Sequence, residues 1–399
     1  MDSFRTAFFI ISICLLSWSL IYICLHWIVI IYGKRKLHSK KELSNKLYES
    51  QGVSIIKPLY GYDRNLKENL ETFFKLDYPK FELLLCVGEE KDGPSLPIIS
   101  ELRAKYPTVD VKVFQGGEDV GPNPKICNMM PGYKSSQYPL IWFSDSTIYT
   151  PPDNLTEMMS HIGNPKVAIV HQMPFVCDFE GFAGYLDKVY FGTQLSRIYL
   201  LSVLLKQNCL CGASLLMSKH SLGEAGGLQA FGDTLAEDNF LGRAMLERGW
   251  ELSLSTKLAL LNQGTKSAAL YRARVTRWTR LRVAMLPFPS LLEPFSECFC
   301  ISLLGALSAK FLGFSFLVFL ISYVIIWFLS DMVLLKIVSN GTLGSLWLVF
   351  LAWLYRESTT YWCFLSGLVG REVTWGGKRY RLLLWGKAVR INDSIPETV

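Results

Sequence analysis

The run from Phe8 to Tyr32 holds 25 residues without one Asp, Glu, Lys or Arg. Wound as a helix it would be about 37 Å long, enough to cross a hydrocarbon layer of roughly 30 Å with some tilt. No other feature narrows the fold as much, because in lipid every backbone group of such a segment must be satisfied within the helix itself. A cleaved leader is the competing reading, but the run is longer than a leader's apolar core and no small-residue cleavage site follows it. Lys34, Arg35, Lys36, Lys40 and Lys41 follow the run, against a lone Arg5 before it. That excess of positive charge belongs on the cytosolic side, so the bulk of the chain is expected to face cytosol. Composition agrees, since half of the 399 residues are hydrophobic and only 19% are charged. The net charge of +7 sits largely beside apolar runs, which points to anionic lipid and leaves nucleic acid out as a partner.

Apolar character returns near Ser290. Residues 311–335, interrupted only by Asp331, predict a second crossing, and residues 343–369 a third crossing or a re-entrant helix. Arg356 and Glu357 lie in the middle of the third, where each isolated charge costs about 2.5 to 3.5 kcal/mol on insertion scales, so both must be paired or buried. Residues 288–309 hold Pro289, Pro294, Glu293 and Glu297 and read as an interfacial or re-entrant helix. Arg371, Lys378, Arg379 and Arg381 then mark 370–399 as a cytosolic tail. The ten Cys show no CxxC and no His at zinc spacing, and Cys209 with Cys211 reads as buried thiols at a strand edge.

Residues 50–287 alternate β-branched runs with amphipathic stretches. Strands are expected at 53–57, 81–87, 109–114, 140–145 and 167–171, and helices at 65–75, 95–105 and 154–162. This is an α/β domain with a mainly parallel sheet, whose ligands belong beyond the carboxyl ends of its strands. No P-loop and no GxGxxG follows a strand. Glu89, Glu90 and Asp92 follow the second strand, Asn123-Pro124-Lys125 the third, and Asp145 the fourth. A single carboxylate at a strand tip can place a hard cation against phosphate, although it can equally form a turn or cap a helix. Glu237 and Asp238 open a helix reaching Arg248, where a carboxylate can act as a base or simply as a cap. Arg274 and Arg277 share a helix face in a basic stretch that includes Arg272, Arg280 and Arg282, suited to a diphosphate or to a lipid surface.

Taken together these motifs resemble the inverting, membrane-bound glycosyltransferases, and among them the ceramide glucosyltransferases. The resemblance rests on Lys57-Pro58-Leu59, 69–74, 76–80, Asn123-Pro124-Lys125, Met130-Pro131-Gly132-Tyr133, 189–193, Ala236-Glu237-Asp238 and Arg277-Trp278, and so spans nearly the whole chain. It implies a GT-A fold, a Mg²⁺ or Mn²⁺ cofactor, UDP-glucose as donor, ceramide as acceptor, and a multi-pass protein of the Golgi or endoplasmic reticulum with its catalytic domain in the cytosol. It further implies Asp92 and Lys125 at the nucleotide sugar, Asp145 at the metal, Asp238 as base, Arg274 and Arg277 at the diphosphate, and Trp278 with Glu237 lining the acceptor or the active site. Two departures stand out: Asp92 is followed by Gly93 rather than a second aspartate, and Leu195-Ser196 stand where relatives carry His-Pro. A processive polysaccharide synthase shares the acidic and Arg-Trp motifs but needs more crossings, and a non-catalytic scaffold would leave Asp238 and Trp278 unused.

Overall fold

A computed structural model describes residues 2–39, 51–61, 63–88, 93–264 and 267–391. In chain order the elements are α1 (Asp2–Leu37), β1 (Val53–Leu59), α2 (Leu66–Phe74), β2 (Phe81–Val87), α3 (Ser95–Lys105), β3 (Val111–Gln115), α4 (Pro124–Ser135), β4 (Leu140–Ser144), β5 (Ile148–Tyr149), α5 (Asn154–Ile162), β6 (Val167–His171) and β7 (Pro174–Val176). Then come α6 (Gly181–Tyr190), α7 (Ser196–Leu204), β8 (Ser214–Ser218), α8 (Lys219–Glu224), α9 (Glu237–Glu247), β9 (Glu251–Leu254), β10 (Ala259–Leu261) and α10 (Ala268–Met285). The last are α11 (Pro287–Ser290), α12 (Cys298–Phe311), α13 (Phe316–Val338), α14 (Leu346–Val369), β11 (Glu372–Trp375), β12 (Lys378–Leu382) and β13 (Ala388–Arg390).

These elements form two compact units. The helical unit is Met1–Ser39, Phe179–Leu205 and Ser267–Val369, and the sheet unit is Lys40–Asp178, Lys206–Lys266 and Gly370–Val399. The stretch 50–287, expected as one domain, is therefore divided. Its segments 179–205 and 267–287 leave the sheet because their apolar faces pack on helices: α6 against α10 and α14, and α7 against α1.

The sheet unit is built on seven strands in the order β3-β2-β1-β4-β8-β6-β9. β1 pairs in parallel with both β2 and β4, as β2 does with β3 and β6 with β9, while β8 runs antiparallel between β4 and β6, so the sheet is mainly parallel, as expected, with one antiparallel strand. From β1 the chain steps outward through β2 to β3 and then returns to place β4 on the other side of β1. That reversal makes the carboxyl ends of β1 and β4 the natural ligand crevice. Helix α4 packs its apolar side, Ile126, Met129 and Met130, into the core with Ile56, Leu84 and Ile141. Pro131 lies inside this helix, and the Cys127 carbonyl that its missing N–H would have bonded accepts instead from Glu118 N at 2.9 Å. Gly132 lets α4 approach β2 closely, since a Cβ there would sit 2.6 Å from Cys86 Sγ. Residues 370–391, expected as a tail, fold into the antiparallel sheet β11-β12-β13.

In the helical unit, α1 and α13 are long and apolar enough to cross a membrane. The stretch 288–309 breaks into α11, a 3₁₀ turn at Glu293–Ser296 and the 14-residue α12. Helix α14 is continuous over 24 residues. Arg356 and Glu357 lie fully buried on it, as the cost of isolated charges requires. Arg356 pairs with Glu357 and with Asp331 at 3.0 Å, and it donates to Thr193 Oγ1. Asp331 also meets Arg197 at 3.1 Å and His26 at 3.3 Å, and Arg197 meets Glu297 at 3.0 Å. Gln194 donates to Glu297 at 2.7 Å and belongs to this network. Residues 191–195, between α6 and α7, form a π-helical turn that presents Thr193 to Arg356.

Candidate active site

Chemistry in the sheet unit gathers where β4 ends. Asp145 is the first residue past that strand. Helix α4 begins with Asn123 as its cap, whose side chain accepts from Lys125 N and Ile126 N, and with Pro124 in its first turn. The same Asn123 donates through Nδ2 to Thr234 O at 2.7 Å and Glu237 Oε2 at 3.0 Å, tying the start of α4 to the start of α9. Those two helix starts and the end of β4 enclose Lys125. Its ammonium lies 2.8 Å from Asp145 Oδ1 and 3.1 Å from Glu237 Oε1, and it donates to Gly212 O at 2.9 Å.

Gly212 also holds Asp238. Its N–H donates to Asp238 Oδ2 at 2.6 Å, and Asn239 N donates to Oδ1 at 2.8 Å. A Cβ at Gly212 would lie 3.1 Å from Lys125 Nζ and 3.3 Å from Asp238, so the absence of a side chain lets one backbone unit grip both groups. Lys57, fully buried on β1, donates to the Asp145 carbonyl at 2.8 Å and to Ser144 Oγ at 3.3 Å, with its ammonium 3.6 Å over the Phe73 ring. It fixes the backbone that carries Asp145.

The electrostatics follow from this packing. Burial, with help from Glu237, pushes the Asp238 carboxyl up to about 6, against the opposing pull of Lys125 and the two backbone N–H groups. Burial also raises Asp145, which Lys125 only partly offsets. For Lys125 burial opposes the charge, but Asp145, Glu237 and Asp238 outweigh it and hold the ammonium protonated. Lys57, with burial dominant, is shifted well below its usual range. Cys209 and Cys211, expected as buried thiols, are half-buried, and desolvation pushes both up to about 12, which makes them poor nucleophiles.

Arg274, Arg277 and Trp278 lie on α10 of the helical unit, and the helix confirms that the two arginines share a face. Arg274 is ion-paired with buried Asp187, and its guanidinium stands 5.3 Å from the Trp278 ring and 5.6 Å from Phe191. Trp278 stacks on Tyr190 at 5.8 Å and meets Phe191 edge-on at 6.0 Å. Burial, with neighbouring Arg274, lowers the Arg277 pKa. Asp92, Glu89 and Glu90 lie outside the described residues. The sequence therefore pointed to Lys125, Asp145, Glu237 and Asp238, which the fold brings together; it missed Gly212, and it named Asn123 and Lys57 only as parts of motifs, without the bridging and backbone-fixing roles they hold.

A divalent cation fits this site in one way only. Among the described residues no group of three or more His, Cys, Asp or Glu could hold a metal. Asp145, however, keeps its side chain 35% exposed while Lys125 contacts Oδ1. That leaves a hard oxygen for an ion otherwise bound by substrate phosphates and water, the habit of Mg²⁺.

The mainly parallel sheet with antiparallel β8 and its switch between β1 and β4, and the acidic cluster at that switch, define a nucleotide-diphospho-sugar transferase of GT-A type. The solved mannosyltransferase PcManGT from Pyrobaculum calidifontis, in complex with GDP-Man and Mn²⁺, shares the fold at a TM-score of 0.51 and 14% identity over 91% of this chain and 98% of its own. Residues 21–389 match the model of glycosyl transferase family 21. Ceramide glucosyltransferase 3 of Caenorhabditis elegans is 42% identical over 91% of this chain and 78% of its own length. Ceramide glucosyltransferase 1 of the same organism is 35% identical over 96% and 82%. The chain belongs to glycosyl transferase family 21.

Proposed function

We propose that the chain transfers glucose from UDP-glucose to the primary hydroxyl of ceramide with inversion, giving glucosylceramide and UDP. The observation that carries this reading is Asp238: a carboxylate at a helix start, held by two backbone N–H groups and tuned to about 6. Inversion in one displacement needs a base to take the acceptor proton and cations to hold the departing diphosphate; it needs no covalent nucleophile. Asp238 is the base. Lys125, protonated and beside it, steadies the negative charge of Asp145 and Glu237 and faces the nucleotide sugar. Asp145 is the ligand for Mg²⁺ or Mn²⁺, whose bound charge would neutralise the leaving UDP. Glu237 holds Asn123 and Lys125 in register and lines the site. Asp92, outside the described residues, is assigned to the nucleotide by the sequence motif alone. On α10, Arg277 is the diphosphate contact, whereas Arg274, committed to Asp187, acts through the aromatic wall of Trp278. Likeness to relatives named ceramide glucosyltransferase supports donor and acceptor. The apolar helices α1 and α13 support a membrane protein; its place in the Golgi or endoplasmic reticulum membrane follows from the family likeness, and the sheet unit's place in the cytosol from the basic residues after α1.

The test is product analysis. Purified chain, given UDP-glucose or UDP-galactose, a divalent cation and short-chain ceramide, should yield a single-sugar β-linked lipid from UDP-glucose. A polymer, or transfer from neither donor, overturns the reading.

A further inference from the structure

The C-terminal sheet carries an exposed apolar tip. Its inner face buries Val373, Tyr380, Leu382 and Ala388. Between β12 and β13 the chain turns through Leu383, Leu384, Trp385 and Gly386, closed by Leu383 N to Lys387 O at 2.8 Å and Gly386 N to Leu383 O at 3.2 Å. Leu383, Leu384 and Trp385 are 41, 57 and 66% exposed. Water-facing turns are normally made of Gly, Asn, Asp and Ser, so three large apolar side chains here have no reason in solvent. Trp385 also sits at φ 68°, a left-handed conformation that bulky residues rarely adopt and that costs energy to keep.

Charge supplies the second half of the argument. From 370 to 391 the chain has the basic residues Arg371, Lys378, Arg379, Arg381, Lys387 and Arg390 against one acid, Glu372. Glu372 pairs with Arg379 at 2.8 Å and Arg381 at 3.6 Å, and Lys387 pairs with Asp233 at 3.0 Å. Among the described residues Arg371, Lys378 and Arg390 have no acidic partner within salt-bridge distance. A second copy would oppose like charge to like charge, which disfavours self-association. An anionic lipid surface satisfies both features at once, with Trp and Leu in the headgroup region and cations on the phosphates. Only Gly370 and Arg371 separate α14 from β11.

We propose that this sheet is a membrane-surface anchor: the 383–385 turn enters the headgroup region of an anionic bilayer, and the surrounding Lys and Arg bind lipid phosphates. The anchor is independent of donor and acceptor identity. Its test uses the full chain in nanodiscs of phosphatidylcholine, with or without phosphatidylserine. Trp385→benzoylphenylalanine is irradiated beside Ile325→benzoylphenylalanine on α13 and Glu101→benzoylphenylalanine on α3. Position 385 should form phospholipid adducts as 325 does and 101 does not, and more of them with phosphatidylserine. Lys378→Gln with Arg390→Gln should lower the yield at 385 by about fivefold or more. An adduct at 325 but none at 385, or a cross-link from 385 to a second chain, overturns the proposal. The unsubstituted chain gives an independent reading: amide exchange over 383–386 should slow in phosphatidylserine discs, and equal rates in both discs count against the anchor.

Discussion

Asp238 shows how a residue's chemistry is set by its neighbours. An isolated aspartate ionises near 4, but burial and Glu237 bring this one to about 6. A base must be deprotonated to work, so turnover should be lost as pH falls through about 6, and Asp238→Asn should abolish that acid limb. Because a base assists only as the new bond forms, the same substitution should lower kcat by about 10² to 10⁴-fold and move the UDP-glucose Kd by less than about tenfold. Steady-state kinetics and calorimetric titration check the two halves separately. Loss of donor binding in step with activity would make Asp238 a nucleotide or metal ligand. The acidic motif was legible because its residues are adjacent in the chain and begin a helix. Gly212 was not: it follows Cys211 in an ordinary run before β8, and its role depends on Lys125 and Asp238, which are distant from it in sequence.

Elements are held by buried polar knots that local propensity does not report. On α5, the Glu157 carboxylate accepts from Thr256 N at 2.8 Å, Thr256 Oγ1 at 2.6 Å and Ser255 Oγ, and meets His161 Nε2 at 3.0 Å. Burial alone would raise its pKa, but His161 and these hydroxyl and N–H donors bring it down to about 2 from 4.5. A depressed carboxylate contributes stability that is full above the unfolded value and lost as pH falls through the folded one. Between pH 4.5 and 2, then, the sheet unit should lose about 3 kcal/mol from this group, and Glu157→Gln should remove most of that dependence. Denaturant unfolding at pH 6 and pH 3 should read about 2 kcal/mol of it, since pH 3 still lies above the folded value. In the helical unit, Arg356→Met leaves buried Glu357 without the cation it pairs with and takes one of two arginines from buried Asp331, which keeps Arg197. The expected cost is about 3 to 5 kcal/mol, read as a large drop in the Tm of the detergent-solubilised protein. A change of less than about 1 kcal/mol would mean that water already reaches those carboxylates.

At the scale of the whole molecule, charge asymmetry around α1 predicts sidedness. Protease added to sealed vesicles should digest the sheet unit and leave α1 and α13 protected; full protection of the sheet unit would reverse the orientation. The apolar runs were readable from sequence because their signal is local and long, and strands 81–87 and 167–171 and helices 95–105 and 154–162 emerged at the same limits for the same reason. Helix α4 was missed because Pro131 argues against a helix locally, and only Glu118, donating to the freed Cys127 carbonyl, makes it tolerable. Division of 50–287 between two units was equally hidden, since 179–205 looks like any amphipathic stretch until its neighbours are known. By itself the sequence determined the class of element, the acidic and basic motifs and the family likeness, all of which depend on residues a few positions apart. Only the tertiary structure decided that Lys125 stands between Asp145 and Glu237, that Gly212 grips Asp238, and that Arg356 has partners. Those facts depend on which strand ends and helix starts converge, and that convergence is set by long-range packing rather than by any local run of residues.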